Sequence, residues 1–105
     1  MIVYEVNLFV KRAAGAAFRA WLDAHVREML AVPGFTGARV LEREDPPPER
    51  DEIALCVQYE LRDAQALDEY LDTHAARMRA DGLARFGGQF RAERRILRSS
   101  QPASG

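Results

Sequence analysis

The chain has a single cysteine, a single lysine and two histidines among 105 residues, and no long uninterrupted apolar run. One cysteine can neither close an intrachain disulfide nor build a cysteine metal cluster. Cys56 lies in an apolar stretch with no basic neighbour, so it reads as a small buried hydrophobe rather than a nucleophile. Charge of one sign is also missing: 15 basic and 16 acidic side chains leave a net charge of −1. The long-range field that a nucleic-acid or anionic-membrane binder carries is therefore absent, and neither partner is expected. Because no stretch approaches the roughly 20 apolar residues of a membrane-spanning helix, and the start Met1-Ile2-Val3-Tyr4-Glu5 has no cationic flank, neither an anchor nor a signal peptide is expected. The expected location is cytoplasmic. The sequence also contains no recognisable phosphate-binding glycine loop and no nucleophilic triad pattern.

What is present is enough apolar residue, 48%, for one core in one domain. Residues 2–10 alternate, with Ile2, Tyr4, Val6, Leu8 and Val10 on one side and Val3, Glu5, Asn7 and Phe9 on the other, which predicts a central strand with two usable faces. From about Ala14 to Ala31 the period changes. Phe18, Trp21, Leu22, Val26, Met29 and Leu30 fall on one face of a helix, His25 shares that face, and Pro33-Gly34 ends it. A second strand is expected over 35–44, with Gly37 permitting a bulge or close packing, then an exposed proline-rich connection through Pro46-Pro47-Pro48. Ile53, Leu55, Val57, Tyr59 and Leu61 mark a third strand. Asp63 fits the N-cap of a helix reaching about Ala80, with a stripe of Leu67, Tyr70, Leu71, His74 and Met78. Asp81-Gly82 is expected to break it, with one further turn over Leu83–Phe86 and a last strand over 89–98. Residues 99–105 form a polar tail expected to be flexible.

The order β-α-β-β-α-β, with two right-handed crossovers and a central hairpin, is that of an α+β, ferredoxin-like fold: a four-stranded antiparallel sheet with both helices on one face. His25 and His74 then both point into the helix–sheet layer, where they could line one cavity with Trp21, Tyr4, Tyr59 and Tyr70 as walls or hydrogen-bond partners. An imidazole within a buried stripe needs a partner or a ligand, because burial disfavours its charged form. Two histidines with no nearby acidic ligand pattern give no zinc or iron site, and no metal is expected.

The segments Trp21-x-x-x-His25, Met29-Leu30-Ala31-Val32-Pro33-Gly34-Phe35 and Ala38-Arg39 resemble the first helix and second strand of the dimeric α/β-barrel superfamily. Residues 1–98 as a whole are similar to an uncharacterised domain-of-unknown-function family of short bacterial proteins within it. The second signature is carried by Tyr70-Leu71-x-x-His74-Ala75, Arg79-Ala80-Asp81 and Arg85-Phe86-Gly87-Gly88-x-Phe90. Gly82 is a departure, since some relatives are expected to carry histidine there. The resemblance implies a homodimer with its two sheets packed face to face, and a ligand pocket inside each protomer between helices and sheet. Members of the superfamily include cofactor-independent monooxygenases, small-molecule isomerases, polyketide cyclases, haem-degrading enzymes and proteins of no known activity, so the fold does not select a chemistry.

Two readings follow from the residues and the resemblance together. In the first, a small organic molecule is bound or transformed in the pocket, without a cofactor. His74 is then the general base, Tyr70 one helical turn away is the donor to a developing oxyanion, His25 is a second polar group, and Trp21 is an apolar wall. Arg79 and Arg85, inside the family-like signature, are ligand or dimer contacts. Of the arginines on the last strand, alternation sends Arg94 and Arg98 to the face opposite Arg91 and Arg95, which splits a conceivable anion stripe into solvated and paired residues. In the second reading the protein is a non-catalytic structural or regulatory dimerisation module whose histidines are satisfied within the core.

Overall fold

Strand alternation and helix periodicity build what the computed structural model shows for residues 1–100, the residues it describes. The elements are β1 (Ile2–Lys11), α1 (Gly15–Leu30), β2 (Phe35–Glu42), β3 (Glu52–Leu61), α2 (Ala64–Thr73), α3 (Ala75–Phe86) and β4 (Phe90–Arg98), with short 3-10 turns over Arg12–Ala14 and Gly87–Gln89. All strand pairs are antiparallel in the order β2-β3-β1-β4, so the two-faced strand expected from residues 2–10 is indeed interior to the sheet. A register shift between Phe35 and Gly37 marks the irregularity that the glycine permits. This is the ferredoxin-like α+β fold. Of the tail expected at 99–105, residues 101–105 lie outside the described residues.

The core lies between the inner sheet face and the helices. Phe18, Leu22 and Met29 of α1 meet Tyr4, Leu8 and Val10 of β1, while Leu67, Tyr70 and Met78 close the other side with Val57 and Tyr59 of β3. At the end of α1, Gly34 takes φ +92°, a conformation open to glycine at little cost, and a Cβ there would run into the Cβ of Ala66 at the start of α2. The Asp63 side chain accepts from the Ala66 backbone N–H at 2.9 Å, which is the expected N-cap.

Three expectations are corrected. The helix expected from Asp63 to Ala80 is two helices, interrupted at His74, whose φ of −118° departs from helical values. Asp81-Gly82 does not end a helix; it lies within α3, which runs on to Phe86. Gly82 survives inside a helix because a tertiary contact uses its missing side chain: a Cβ would sit 2.8 Å from Cη2 of Trp21. Leu30, placed in the buried stripe by its spacing, is exposed. It follows the buried Met29 directly, so it stands about 100° around the helix from it, on the flank of the buried face.

The outer sheet face is not simply polar. Glu5 points there and is only 2% exposed. Its Oε1 accepts from Arg95 Nε at 2.7 Å and Asn7 Nδ2 at 2.8 Å, and its Oε2 from Gln58 Nε2 at 3.0 Å. The Arg95 guanidinium, helped by Asn7 and Gln58, outweighs burial and holds the Glu5 carboxyl down to about 2. Beside this network, Phe9 lies under the guanidinium groups of Arg91 and Arg43, at 4.0 and 5.0 Å from the ring centroid. No helix of the described residues is long and apolar enough to cross a membrane.

Candidate functional site

Alternation along β1 and β3 delivers Tyr4, Val6, Leu8, Val57 and Tyr59 to the inner face, and the helices bring Trp21, His25, Tyr70 and Arg79 over them. Between these layers lies a cavity of about 50 Å³, lined also by Gly82, Phe90 and Arg94. That is room for a few water molecules. No aspartate or glutamate lines it.

Its polar equipment is basic and phenolic. Arg79 donates from Nη2 to the Tyr4 hydroxyl at 2.8 Å, whereas its Nε is buried without a hydrogen-bond partner. Neither Arg79 nor Arg94 forms an ion pair among the described residues. Burial pushes the Tyr70 hydroxyl up to about 12, and burial raises that of Tyr59 as well. Both phenols are therefore neutral donors at physiological pH. The three tyrosine rings form a cluster, with Tyr4 and Tyr70 centroids 5.7 Å apart and Tyr4 and Tyr59 6.3 Å apart.

Trp21 and His25 form the outer wall. Their rings stack at 4.6 Å with an interplanar angle of 21°, and burial lowers the basicity of His25. Trp21 Nε1 donates to Asp81 Oδ2 at 2.7 Å, and Arg85 Nε donates to Asp81 Oδ1 at 3.2 Å. On the far side of the two stacked rings is an open groove of about 460 Å³ bounded by Ala17, Ala24, Glu28, Asp81, Arg85 and Phe86. Trp21 and His25 face both spaces. They form a wall shared by the inner cavity and the outer groove.

Of the residues singled out from sequence, Tyr4, Trp21, His25, Tyr59, Tyr70 and Arg79 thus meet in one place. His74 and Arg85 do not. His74 opens onto a separate recess with Val32, Pro33, Glu69, Thr73 and Tyr70, which lines both this recess and the cavity, and its Nδ1 lies 2.9 Å from Arg77 Nη2. The shared cavity for His25 and His74 is therefore not formed. The break between α2 and α3 falls at His74 itself, so its side chain leaves the phase of the buried stripe that Tyr70 and Met78 keep. The Tyr70–His74 pair is joined by a backbone hydrogen bond from His74 N–H to the Tyr70 carbonyl, while the imidazole faces a different space from the cavity. Arg85 belongs to the outer groove.

Two contributors were missed. Arg94 lines the cavity, and its shared parity with Phe90 and Ala92 on β4 was the available signal. Asp81, which holds Trp21 across sixty residues of chain, left none. Among the described residues, no three metal-ligating side chains of the His, Cys, Asp and Glu types gather together. Cys56 sits half-buried on the outer face, where burial and the nearby Glu5 raise its thiol pKa, as befits an unreactive thiol.

The four-stranded antiparallel sheet with its crossover helices is the ferredoxin-like α+β fold, and the overall likeness to solved structures agrees. SnoaB, a cofactor-independent oxygenase from Streptomyces nogalater, shares 18% identity, with 99% of this chain and 98% of that one covered at a TM-score of 0.67. A Deinococcus radiodurans protein assigned provisionally as an antibiotic biosynthesis monooxygenase shares 13% identity over 97% and 95% of the two chains, at 0.73. Rv0793 from Mycobacterium tuberculosis shares 25% over 98% and 99%, at 0.62. No curated protein sequence matches the chain. Residues 1–100 match the profile of DUF4286, a domain of unknown function, and the chain belongs to that family.

Proposed function

We propose that the protein is a homodimer that binds a small organic molecule in the cavity between α1, α3 and the sheet. The observation that carries the reading is the Arg79 side chain, a guanidinium brought into a layer of aromatic rings with a buried Nε that no protein group satisfies. A buried donor left without a partner costs about 1–3 kcal/mol, and more on a charged group, so a packing role alone is a poor account of it. Around it, Tyr59 and Tyr70 are neutral donors, the Tyr4 hydroxyl accepts from Arg79, His25 is an imidazole whose basicity burial lowers, and Trp21 is an apolar wall. His74 and Arg85 lie outside this set. The solved structures of similar fold include a cofactor-independent oxygenase, which is consistent with chemistry performed by side chains alone. Dimerisation is supported by the outer sheet face. Val3, Phe9, Leu41 and Leu97 lie on that face, no helix covers it, and Leu41 and Leu97 are exposed.

The competing reading, a non-catalytic dimerisation module, is favoured by one observation: the cavity is small, about 50 Å³. Two measurements separate them. Native mass spectrometry should give twice the chain mass, and a monomer would remove the barrel assembly. Fragment screening by protein-observed NMR should shift the resonances of His25, Tyr59 and Arg79 together. Hits confined to the recess beside His74, or none anywhere, would leave the module as the better account.

A further inference from the structure

Resting on the reading of the cavity as a ligand site, we propose that its ligand is a small planar organic anion, an aromatic or conjugated carboxylate or enolate, whose charged oxygen binds Arg79 and whose body enters by displacing Trp21. The charge follows from what surrounds the cavity. Two guanidinium groups, Arg79 and Arg94, face it without an ion-pair partner, and no carboxylate lines it. Some arginines elsewhere meet a carboxylate, as Arg95 meets Glu5, Arg91 meets Glu93 and Arg85 meets Asp81, and others, such as Arg27 and Arg98, have no ion pair among the described residues; what distinguishes Arg79 is its buried Nε with no hydrogen-bond partner. A basic, phenolic, carboxylate-free cavity is complementary to an oxyanion, which would take up the free Arg79 Nε donor and gain charge-assisted hydrogen bonds. The phenols help in the same direction, because neutral hydroxyls can donate to an anionic oxygen whereas phenolates could not.

The planar body follows from the rest of the lining. Phe90 and the three tyrosines present rings, and Val6, Leu8, Leu22, Met29, Val57 and Met78 supply the apolar remainder. Entry follows from volume. A cavity of about 50 Å³ does not hold a benzene-sized ring, but the groove beyond Trp21 has about 460 Å³. Trp21 and His25 line both, and displacing the indole would break its hydrogen bond to Asp81 and its ring contacts with Phe18, His25 and Phe86, which binding must offset. Swinging the indole outward joins the two volumes and leaves the Asp81–Arg85 pair intact.

The test uses the 15N-labelled full chain, titrated at fixed ionic strength with benzoate and with benzamide, its neutral isostere. Benzoate is expected to bind at least roughly tenfold more tightly, the scale of one charge-assisted hydrogen bond. It should shift Tyr59, Arg79 and the Trp21 indole N–H together, and Arg79→Gln should abolish the preference. If Arg79→Gln does not fold, the benzoate-to-benzamide ratio on the unmodified chain decides alone. Equal binding of the two probes at the cavity would overturn the anion assignment while leaving the ligand site standing. Failure of both probes to shift any cavity resonance would overturn both. Benzoate binding only at the recess beside His74, or on the outer face at Arg91, would overturn the assignment to Arg79. An unchanged indole resonance on saturation would overturn the proposed route of entry.

Discussion

Replacing Gly82 by alanine tests the Trp21 wall directly, because two effects of known size oppose one another there. In a helix interior, alanine is favoured over glycine by about 1 kcal/mol. The added Cβ, however, would lie 2.8 Å from Trp21 Cη2 and 3.2 Å from Cζ2. Trp21 is an indole packed between His25 and Phe18 and bonded to Asp81, so it cannot yield by a small torsion as a flexible chain end would. Overpacking of this kind costs about 1–3 kcal/mol. The clash should win, and Gly82→Ala should destabilise the protein by about 1 kcal/mol, or roughly 4–8 °C in Tm. In a Trp21→Phe background the six-membered part of the indole is gone. The same substitution should then become stabilising by up to about 1 kcal/mol, a reversal of sign across a double-mutant cycle. Urea unfolding of the four proteins at one protomer concentration reads it. Stabilisation by Gly82→Ala with Trp21 present, or an equal cost in both backgrounds, would refute the argument. The same geometry explains why this chain has no room for a histidine at 82: the indole already fills that space.

Three further outcomes are expected. Glu5 is held at about 2 against an ordinary 4.5, so its pairing contributes stability that is fully present above pH 4.5 and is lost as pH falls toward 2. At about 1.36 kcal/mol per pH unit the ceiling is roughly 3 kcal/mol, reduced in practice because Arg95 is exposed; the stability gap between wild type and Glu5→Gln should close through that acid window, and a gap constant with pH would contradict it. His25, whose pKa burial lowers, should titrate by NMR below the ordinary 6.5, so its folded form resists protonation and stability declines as pH drops below that value; a midpoint above 6.5 would count against a buried neutral imidazole. Gly34→Ala combines a positive φ with a Cβ forced against Ala66 and should cost at least about 1–3 kcal/mol in chemical denaturation, whereas a neutral result would mean that the turn into β2 is differently built.

Local physics was legible in the sequence wherever a periodic pattern matched one burial environment. Period two in residues 2–10 and 53–61 named the inner-face residues Tyr4, Val6, Leu8, Val57 and Tyr59, because successive side chains of a strand must alternate. Period 3.6 placed Trp21 and His25 on one helix face, and Pro33-Gly34 and Asp63 marked helix boundaries through backbone constraint and capping. These rules act within a few residues, and so they survive without tertiary information. Tertiary structure decided everything that depended on what meets that face. The Trp21–Asp81 hydrogen bond, the indole packed on Gly82, the Arg79 contact with the Tyr4 hydroxyl and the network burying Glu5 each join residues far apart in the chain. Asp81-Gly82 illustrates the difference: a local helix-breaking signal was overruled because Trp21 occupies the space that a side chain would need. His74 shows the converse, since a one-residue interruption between α2 and α3 took it out of the stripe and left Tyr70 in the cavity without it. The sequence by itself determined the fold and which faces are buried; long-range packing, which no local period encodes, decided which polar groups share a cavity.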